Sequence, residues 1–155
     1  MNHIASLVMT LAAMTPADRE KAEMVVLSNC VASVESGMDY TATGDGGKAV
    51  GAWQMHIGAW ITANQWRKAN NLPTLRRTEW QDKNIQRAMA ISYLNWCKEQ
   101  LQKNGIKEPS VEQIYMAYSW GFSNFKDSGF NMDLAPPHKR NAAERVGNIY
   151  KELTK

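Results

Sequence analysis

The chain has 155 residues, of which 44% are hydrophobic and 21% charged, so we expect residues 1–155 to form one globular domain with a real core. Its net charge of +3 suits an anionic surface such as a bacterial wall, but lacks the dense basic stripe of a nucleic-acid binder. No apolar run is long enough to span a membrane, so we expect no membrane span.

The first apolar segment, residues 4–14, is short, and no Lys or Arg precedes it. A secretory signal normally has a positively charged start, so a signal core is the weaker interpretation. We expect an N-terminal helix that packs on the domain and no export signal of the chain's own.

The next helix begins and ends with clear signals. Thr15 can cap it, Pro16 suits the first helical position, and Gly37 is a good stop. Apolar residues recur between these signals at helical spacing and predict a buried stripe: Val25, Val26, Cys30, Val31 and Val34.

Glu35 falls in the last turn of this helix, next to Val34. Backbone carbonyl dipoles at a helix end disfavour a negative charge, and apolar neighbours desolvate it, so both effects raise the pKa of a carboxyl group. A glutamate that stays protonated near neutral pH can donate a proton to a leaving-group oxygen, as cleavage of a glycosidic bond requires. The alternative is a solvated surface glutamate near a frayed helix end.

A polar, glycine-rich stretch follows at residues 41–48 and predicts a loop, with at most a small β-hairpin near residues 40–56. Asp45 lies within it, where turn chemistry accounts for an aspartate. Asp45 and, less strongly, Asp39 are the candidates for a second carboxyl group. The stretch lacks the spacing of a phosphate-binding loop.

The remaining segments are mostly helical. A helix is predicted at residues 58–70, and a capping-box pattern at Thr78 and Gln81 predicts a long helix over residues 79–103. The same pattern at Ser110 and Gln113 predicts a shorter helix that ends at Gly121. Residues 122–137 read as a long loop that could form a lid or groove wall, and the last helix spans residues 138–153. The fold class is therefore mainly α.

The cysteines and histidines give no sign of a bound metal. Cys30 and Cys97 both lie on apolar stripes, which favours free buried thiols over one disulfide. His3, His56 and His138 lack metal-ligand spacing, so we expect no metal and no cofactor. His56 lies near Gln54 and could touch a substrate, although a surface histidine is the simpler interpretation.

Short motifs then follow one another in a fixed order: Glu35-Ser36, GAWQM at residues 51–55, Asn84-Ile85 with Tyr93-Leu94, AYSWG at residues 117–121, and Arg140-Asn141, Glu144-Arg145-Val146 and Tyr150. Each motif alone is weak, but the ordered set resembles the transglycosylase domain of the soluble lytic transglycosylase type, within the lysozyme-like superfamily. The resemblance covers about residues 20–153, nearly the whole chain.

The resemblance implies an α+β lysozyme-like fold with helices around a cleft. It implies that the chain cuts the glycan strand of peptidoglycan between N-acetylmuramic acid and N-acetylglucosamine. Glu35 matches the family's catalytic acid, and Ser36 matches the residue beside it. Gln54 matches a cleft-lining glutamine, and Tyr118 matches a tyrosine whose hydroxyl lies close to the acid.

The chain also departs from the family pattern. Trp53 stands where the family has methionine, and Ser119-Trp120 replace Asn-Ala. Trp53 and Trp120 flank the motifs and could stack on sugar rings, whereas Trp60 and Trp66 are expected in the core. With Ser36, Gln54, Asp45, Tyr118 and Ser119, these two tryptophans complete the predicted substrate-binding set.

The resemblance favours a lytic transglycosylase that acts as a monomer at the bacterial cell wall, with peptidoglycan strands as its partner. A phage lysis or virion protein and a bacterial enzyme both fit this expectation. Two alternatives stay open: a hydrolysing lysozyme that uses water, and a module that binds peptidoglycan without cutting it. Because Glu35, Gln54 and Tyr118 are all retained, an active enzyme is the leading interpretation.

Overall fold

A computed structural model describes residues 13–155 of the chain. Most of the predicted N-terminal helix at residues 4–14 lies outside the described residues. The helices are α1 (Pro16–Ser36), α2 (Ile57–Ala69), α3 (Lys83–Lys103), α4 (Val111–Met116), α5 (Phe122–Asp127) and α6 (Pro137–Leu153). The strands are β1 (Thr43–Gly44) and β2 (Ala49–Val50), so the mainly α fold class is confirmed.

Helix α1 has the ends that its sequence predicts. The Thr15 side chain accepts a hydrogen bond from the backbone N–H of Asp18, and Pro16 occupies the first turn. Gly37 ends the helix with a φ of +67°, a left-handed conformation that glycine adopts without strain. Helix α1 packs against α3 and α6. Glu35, in the last turn of α1, therefore lies at the edge of the hydrophobic core.

The predicted hairpin is present and small. Strands β1 and β2 are antiparallel, with Thr43 opposite Val50 and Gly44 opposite Ala49. A further bridge joins Val50 to Met55 and folds the following turn back onto the hairpin. This turn carries Gln54 toward the end of α1.

The predicted start of the long helix is wrong by four residues. Residues Arg77–Glu79 form a separate 3₁₀ turn, and α3 begins at Lys83. The Asp82 side chain is the actual cap and accepts from the backbone N–H groups of Asn84 and Ile85 at 2.8 and 3.1 Å. An aspartate that satisfies two free amides outcompetes the Thr78 pattern upstream. The capping box at Ser110 and Gln113 is confirmed.

The predicted long loop at residues 122–137 is also wrong. Its first part forms α5, and Met132–Leu134 form a 3₁₀ turn. Phe125 is fully buried, and its ring meets that of Phe130 edge to face, with centroids 5.3 Å apart. These aromatic contacts anchor the segment to the core, so it is not a free lid.

One hydrophobic cluster unites the helices. Cys30 and Cys97 lie within it as free thiols, which agrees with the favoured interpretation. Burial raises the pKa of the Cys30 thiol to about 11 and that of Cys97 further, so both thiols are chemically inert. Within residues 13–155, no helix combines the length and apolar character needed to cross a membrane.

Gln86 of α3 fastens the hairpin region to the helices. Its side chain is 3% exposed, accepts from the backbone N–H of Ala52 at 3.0 Å and donates to the backbone oxygen of Tyr40 at 2.8 Å. It lies so close to Gly51, whose φ is +76°, that a Cβ atom there would collide with it. Gln86 thereby fixes the chain on both sides of the hairpin.

Replacing Gln86 with leucine is expected to lower the free energy of unfolding by about 2–3 kcal/mol, because the buried amide of Ala52 and the half-buried carbonyl of Tyr40 lose their partner. Urea denaturation followed by circular dichroism measures this change. The matched control is Gln102→Leu, an exposed position on the same helix, which should cost less than about 0.5 kcal/mol. Equal losses in the two variants would contradict the bridging role.

Candidate active site

An open cleft of about 380 Å³ lies where the end of α1, the hairpin turn and the segment after α4 meet. Its wall contains five of the residues predicted for the site, together with Tyr118 at its base. The lining residues are Glu35, Asp45, Gln54, Met55, His56, Ala59, Tyr93, Tyr118, Ser119, Trp120, Gly121 and Lys139. The structure therefore brings together side chains that are more than 100 positions apart in the chain.

Glu35 is the partly buried acid of this cleft. Burial raises the pKa of its carboxyl group above the ordinary value, and the neighbouring charge of Asp45 adds to the rise. A hydrogen bond from Tyr115 and the charges of Lys139 and His56 lower the pKa and oppose part of the effect. Since burial is the largest influence, Glu35 keeps its proton to a higher pH than an exposed glutamate does.

The hydroxyl that contacts Glu35 belongs to Tyr115. It donates to Glu35 Oε1 at 2.8 Å, whereas the Tyr118 hydroxyl donates to the backbone oxygen of Trp53 at 2.6 Å. Tyr118 still lines the cleft, but its hydroxyl forms a hydrogen bond that joins the base of the cleft to the hairpin turn. The expectation that the Tyr118 hydroxyl lies close to the acid agrees with its electrostatics, since burial and then the charge of Glu35 raise the pKa of Tyr118.

Gln54 lies on the cleft wall, as expected. Its backbone φ is +50°, and its side-chain Nε2 donates to the backbone oxygen of Gly51 at 2.9 Å. The Gln54 amide oxygen fills the space where Gly44 would carry a Cβ atom. A side chain at position 44 would push Gln54 out of place, which explains why glycine stands there.

Trp53 and Ser36 do not line the cleft. The Trp53 side chain is 1% exposed, and its indole Nε1 donates to the backbone oxygen of Ser28 at 2.7 Å. The Ser36 hydroxyl donates to the backbone oxygen of Ala52 at 2.8 Å. The buried Trp53 ring has no surface for a sugar, so the prediction that it contacts substrate is corrected. Ser36 is half-buried, and its contact with substrate stays a prediction. Both side chains hold α1 against the hairpin turn.

Ser119 and Trp120 lie on the opposite wall, in a π-helical segment, Ala117–Gly121, that follows α4 directly. Single π-helical turns widen a helix and frequently occur at functional sites. Trp120 is half-buried and packs against Phe125, with ring centroids 6.4 Å apart. Its remaining surface belongs to the cleft, as a stacking platform for a sugar requires.

Asp45 and His56 form a hydrogen-bonded pair at the mouth of the cleft. His56 Nε2 lies 2.8 Å from Asp45 Oδ2, and the two side chains are 49% and 68% exposed. Asp45 also begins a 3₁₀ turn, which agrees with its interpretation as a turn residue. The same residue also lines the cleft. Asp39 lies apart, where hydrogen bonds from Thr41 lower its pKa.

Two residues near the acid were not predicted from the sequence: Tyr115, whose hydroxyl contacts Glu35, and Lys139, which lines the cleft. Tyr115 precedes Tyr118 by three positions, so helical spacing could have placed both on one face. Lys139 comes from α6, and no local pattern marks it, whereas Tyr93 lines the cleft as part of the Tyr93-Leu94 motif. Among residues 13–155, no group of three or more His, Cys, Asp or Glu side chains is placed to hold a metal ion.

Helices around a small hairpin, with one partly buried glutamate in an open polar cleft, define a lysozyme-like domain. More narrowly, the chain belongs to the family described as the transglycosylase SLT domain, whose model matches residues 15–136. Members of this family are typically lytic transglycosylases, which act on peptidoglycan. The comparison with curated proteins finds no match, and neither does the comparison with solved structures.

The family match includes Glu35, Gln54 and the segment Ala117–Gly121. It ends at Pro136, so α6 lies beyond it, together with the last of the sequence motifs and with Lys139. The contacts that α6 makes in the cleft are therefore features of this chain that the family match does not describe.

Proposed function

We propose that this chain is a lytic transglycosylase that cuts the β-1,4 bond between N-acetylmuramic acid and N-acetylglucosamine in peptidoglycan. The observation that carries the proposal is Glu35, a partly buried carboxyl group with a raised pKa on the wall of an open cleft. The family match supports the choice of substrate. Action at the bacterial cell wall, as a monomer on glycan strands, is part of the same proposal.

In the proposed mechanism, Glu35 acts twice. As an acid it gives its proton to the bridging oxygen while the bond from that oxygen to C1 of the muramic residue breaks. The resulting carboxylate then takes the proton of the C6 hydroxyl of the same sugar. As that proton leaves, O6 forms a bond to C1 and closes the 1,6-anhydro ring. Glu35 ends the cycle protonated, and no water is consumed.

The state of Asp45 supports this outcome over hydrolysis. A hydrolase usually needs a second carboxylate to attack C1 or to activate water. Asp45 is the other carboxylate on the described cleft wall, and it is mostly exposed and paired with His56. A transglycosylase needs no such group, since the substrate's own hydroxyl is the nucleophile.

Replacing Asp45 with asparagine is therefore expected to lower the cleavage rate less than about tenfold, since only a mouth contact is lost. The rate of release of soluble fragments from purified cell walls measures this change. The matched variant is His56→Asn, which removes the other half of the hydrogen-bonded pair and should give a similar small effect. A loss of 10²-fold or more in Asp45→Asn alone would favour the hydrolase instead.

The products decide between the candidate functions. Purified peptidoglycan is digested with the full chain, and the fragments are analysed by mass spectrometry. Fragments that end in 1,6-anhydro-muramic acid are expected. Reducing ends that carry an added water would show a hydrolase, and binding to walls without release of fragments would show a non-catalytic module.

A further inference from the structure

We infer that Tyr115, Ser119 and Lys139 form a hydrogen-bonded line that positions the Glu35 carboxyl group and stabilises its ionised form. In this arrangement Tyr115 is the positioning residue in contact with the acid, and Lys139 is the cation that supports it. The inference rests on the proposed function of Glu35 as the acid, and no sequence motif assigns to Tyr115 or Lys139 a role toward that carboxyl group.

The first link is the contact between Tyr115 and Glu35. The Tyr115 side chain is 2% exposed, and its hydroxyl lies 2.8 Å from Glu35 Oε1. Its ring stacks on that of Tyr118, with centroids 6.4 Å apart and planes inclined by 20°. A buried and stacked ring has little freedom to move, so its hydroxyl holds one carboxyl oxygen in a fixed place.

The second link runs from Lys139 through Ser119. Lys139 Nζ donates to Ser119 Oγ at 3.0 Å and to the Ser119 backbone oxygen at 2.9 Å. Burial raises the pKa of the Tyr115 hydroxyl, and the Ser119 side chain opposes part of that rise, as a hydrogen-bond donor to this hydroxyl does. We therefore place Ser119 between the cation on α6 and the tyrosine that contacts the acid.

The available hydrogen atoms allow one direction of hydrogen-bond donation along this line, from Lys139 toward Glu35. A lysine ammonium group only donates, and each hydroxyl group has a single hydrogen to give. Lys139 therefore donates to Ser119, Ser119 donates to Tyr115, and Tyr115 donates to Glu35 Oε1. Since Oε1 accepts, the acid proton of Glu35 is left on Oε2, so the line fixes which oxygen delivers the proton.

The charges around Glu35 agree with this assignment. The groups that face it are Tyr115 from α4, Tyr118 from the π-helical segment, Lys139 from α6, and Asp45 and His56 from the hairpin side of the cleft. Burial raises the pKa of Glu35, while Tyr115 and Lys139 act in the opposite direction. Charge develops on the carboxylate as its proton leaves, so a donor already in place stabilises the transition state more than the resting enzyme.

The line also explains one departure from the family pattern. Serine stands at position 119 where the family motif has asparagine. A short hydroxyl can accept from Lys139 and donate to Tyr115 at the same time. Lys139 itself lies beyond the matched residues, whereas Glu35, Tyr115 and Ser119 lie within them.

The test is a titration of Glu35 that needs no substrate. The full chain is labelled with ¹³C in its glutamate side chains, and the midpoint of the Glu35 carboxyl signal is followed by NMR. Loss of the Tyr115 hydroxyl in Tyr115→Phe removes a bond to the charged form, so the midpoint should move to higher pH. Lys139→Met and Ser119→Ala should move it in the same direction by less.

Tyr118→Phe is the matched control, because it removes a neighbouring hydroxyl that bonds to Trp53 and not to Glu35. Its Glu35 midpoint should equal that of the unaltered chain, whatever its rate of cleavage. An unchanged or lowered midpoint in Tyr115→Phe would overturn the inference. So would unchanged midpoints in both Lys139→Met and Ser119→Ala, two variants at positions outside the core.

The pH profile of cleavage gives a second readout. Glu35 must be protonated to act, so activity falls as pH rises through its pKa. In Tyr115→Phe this alkaline limb should move to higher pH, while kcat/KM at the optimum falls roughly tenfold. A tyrosine that served packing alone would lower the rate without moving the limb. Because the NMR midpoints need no turnover, failure of the proposed function is distinguishable from failure of this inference.

Discussion

Glu35→Gln is expected to lower the rate of peptidoglycan cleavage by about 10²–10⁴-fold, the usual contribution of a general acid. Glutamine has the same shape and can still accept the Tyr115 hydrogen bond, but it has no acidic proton to give. Asp45 cannot take over, because its side chain is mostly exposed and paired with His56. Release of soluble fragments from purified walls measures the loss.

The matched control is Glu23→Gln on the same helix. Glu23 lines a separate groove on another side of α1, so this variant should retain the activity of the unaltered chain within about twofold. If Glu35→Gln clears walls as fast as Glu23→Gln does, Glu35 is not the acid and the proposed mechanism fails.

Trp53→Ala is expected to lower the free energy of unfolding by about 3–5 kcal/mol. The Trp53 ring is fully buried, meets Tyr40 edge to face at a centroid distance of 5.8 Å, and donates from its indole nitrogen to Ser28. Truncation would leave a large cavity between α1 and the hairpin turn and would remove the indole hydrogen bond to α1. Urea denaturation at several protein concentrations measures the change.

Trp120→Ala provides the contrast, since this ring is half-buried and lines the cleft. We expect it to cost about 1 kcal/mol in stability and to weaken substrate binding, seen as a rise in KM. If Trp120→Ala proved as destabilising as Trp53→Ala, Trp120 would be a core residue and its role as a stacking platform would be lost.

Local signals predicted much of the fold. Helix α1 was predictable because a cap, a proline and a glycine stop enclose a regular apolar stripe, and each acts within a few residues. Helix α5 was not predictable from the sequence, since six residues are too few to show a helical period. What holds α5 is the contact of Phe125 with Phe130 and the core, which only the folded chain reveals.

The site was predictable in its chemistry and less so in its contacts. A lone carboxyl group at a helix end next to apolar residues pointed to Glu35, and the structure gives that group a raised pKa. Trp53 was misjudged because proximity to Gln54 in the chain does not tell which way a side chain points in a tight turn. Tyr115 and Lys139 reach the acid through packing of α4 and α6, which no short motif encodes.

The π-helical segment Ala117–Gly121 has a consequence for how this wall of the cleft can evolve. Its wide turn holds one residue more than an ordinary helical turn, and each residue removed or added rotates everything beyond it by about 100°. Ser119 and Trp120 would then leave the sugar-facing side together. Side chains in this stretch can be exchanged one at a time, but its length is fixed. Relatives that retain the activity should therefore differ here by substitution and hardly ever by insertion or deletion.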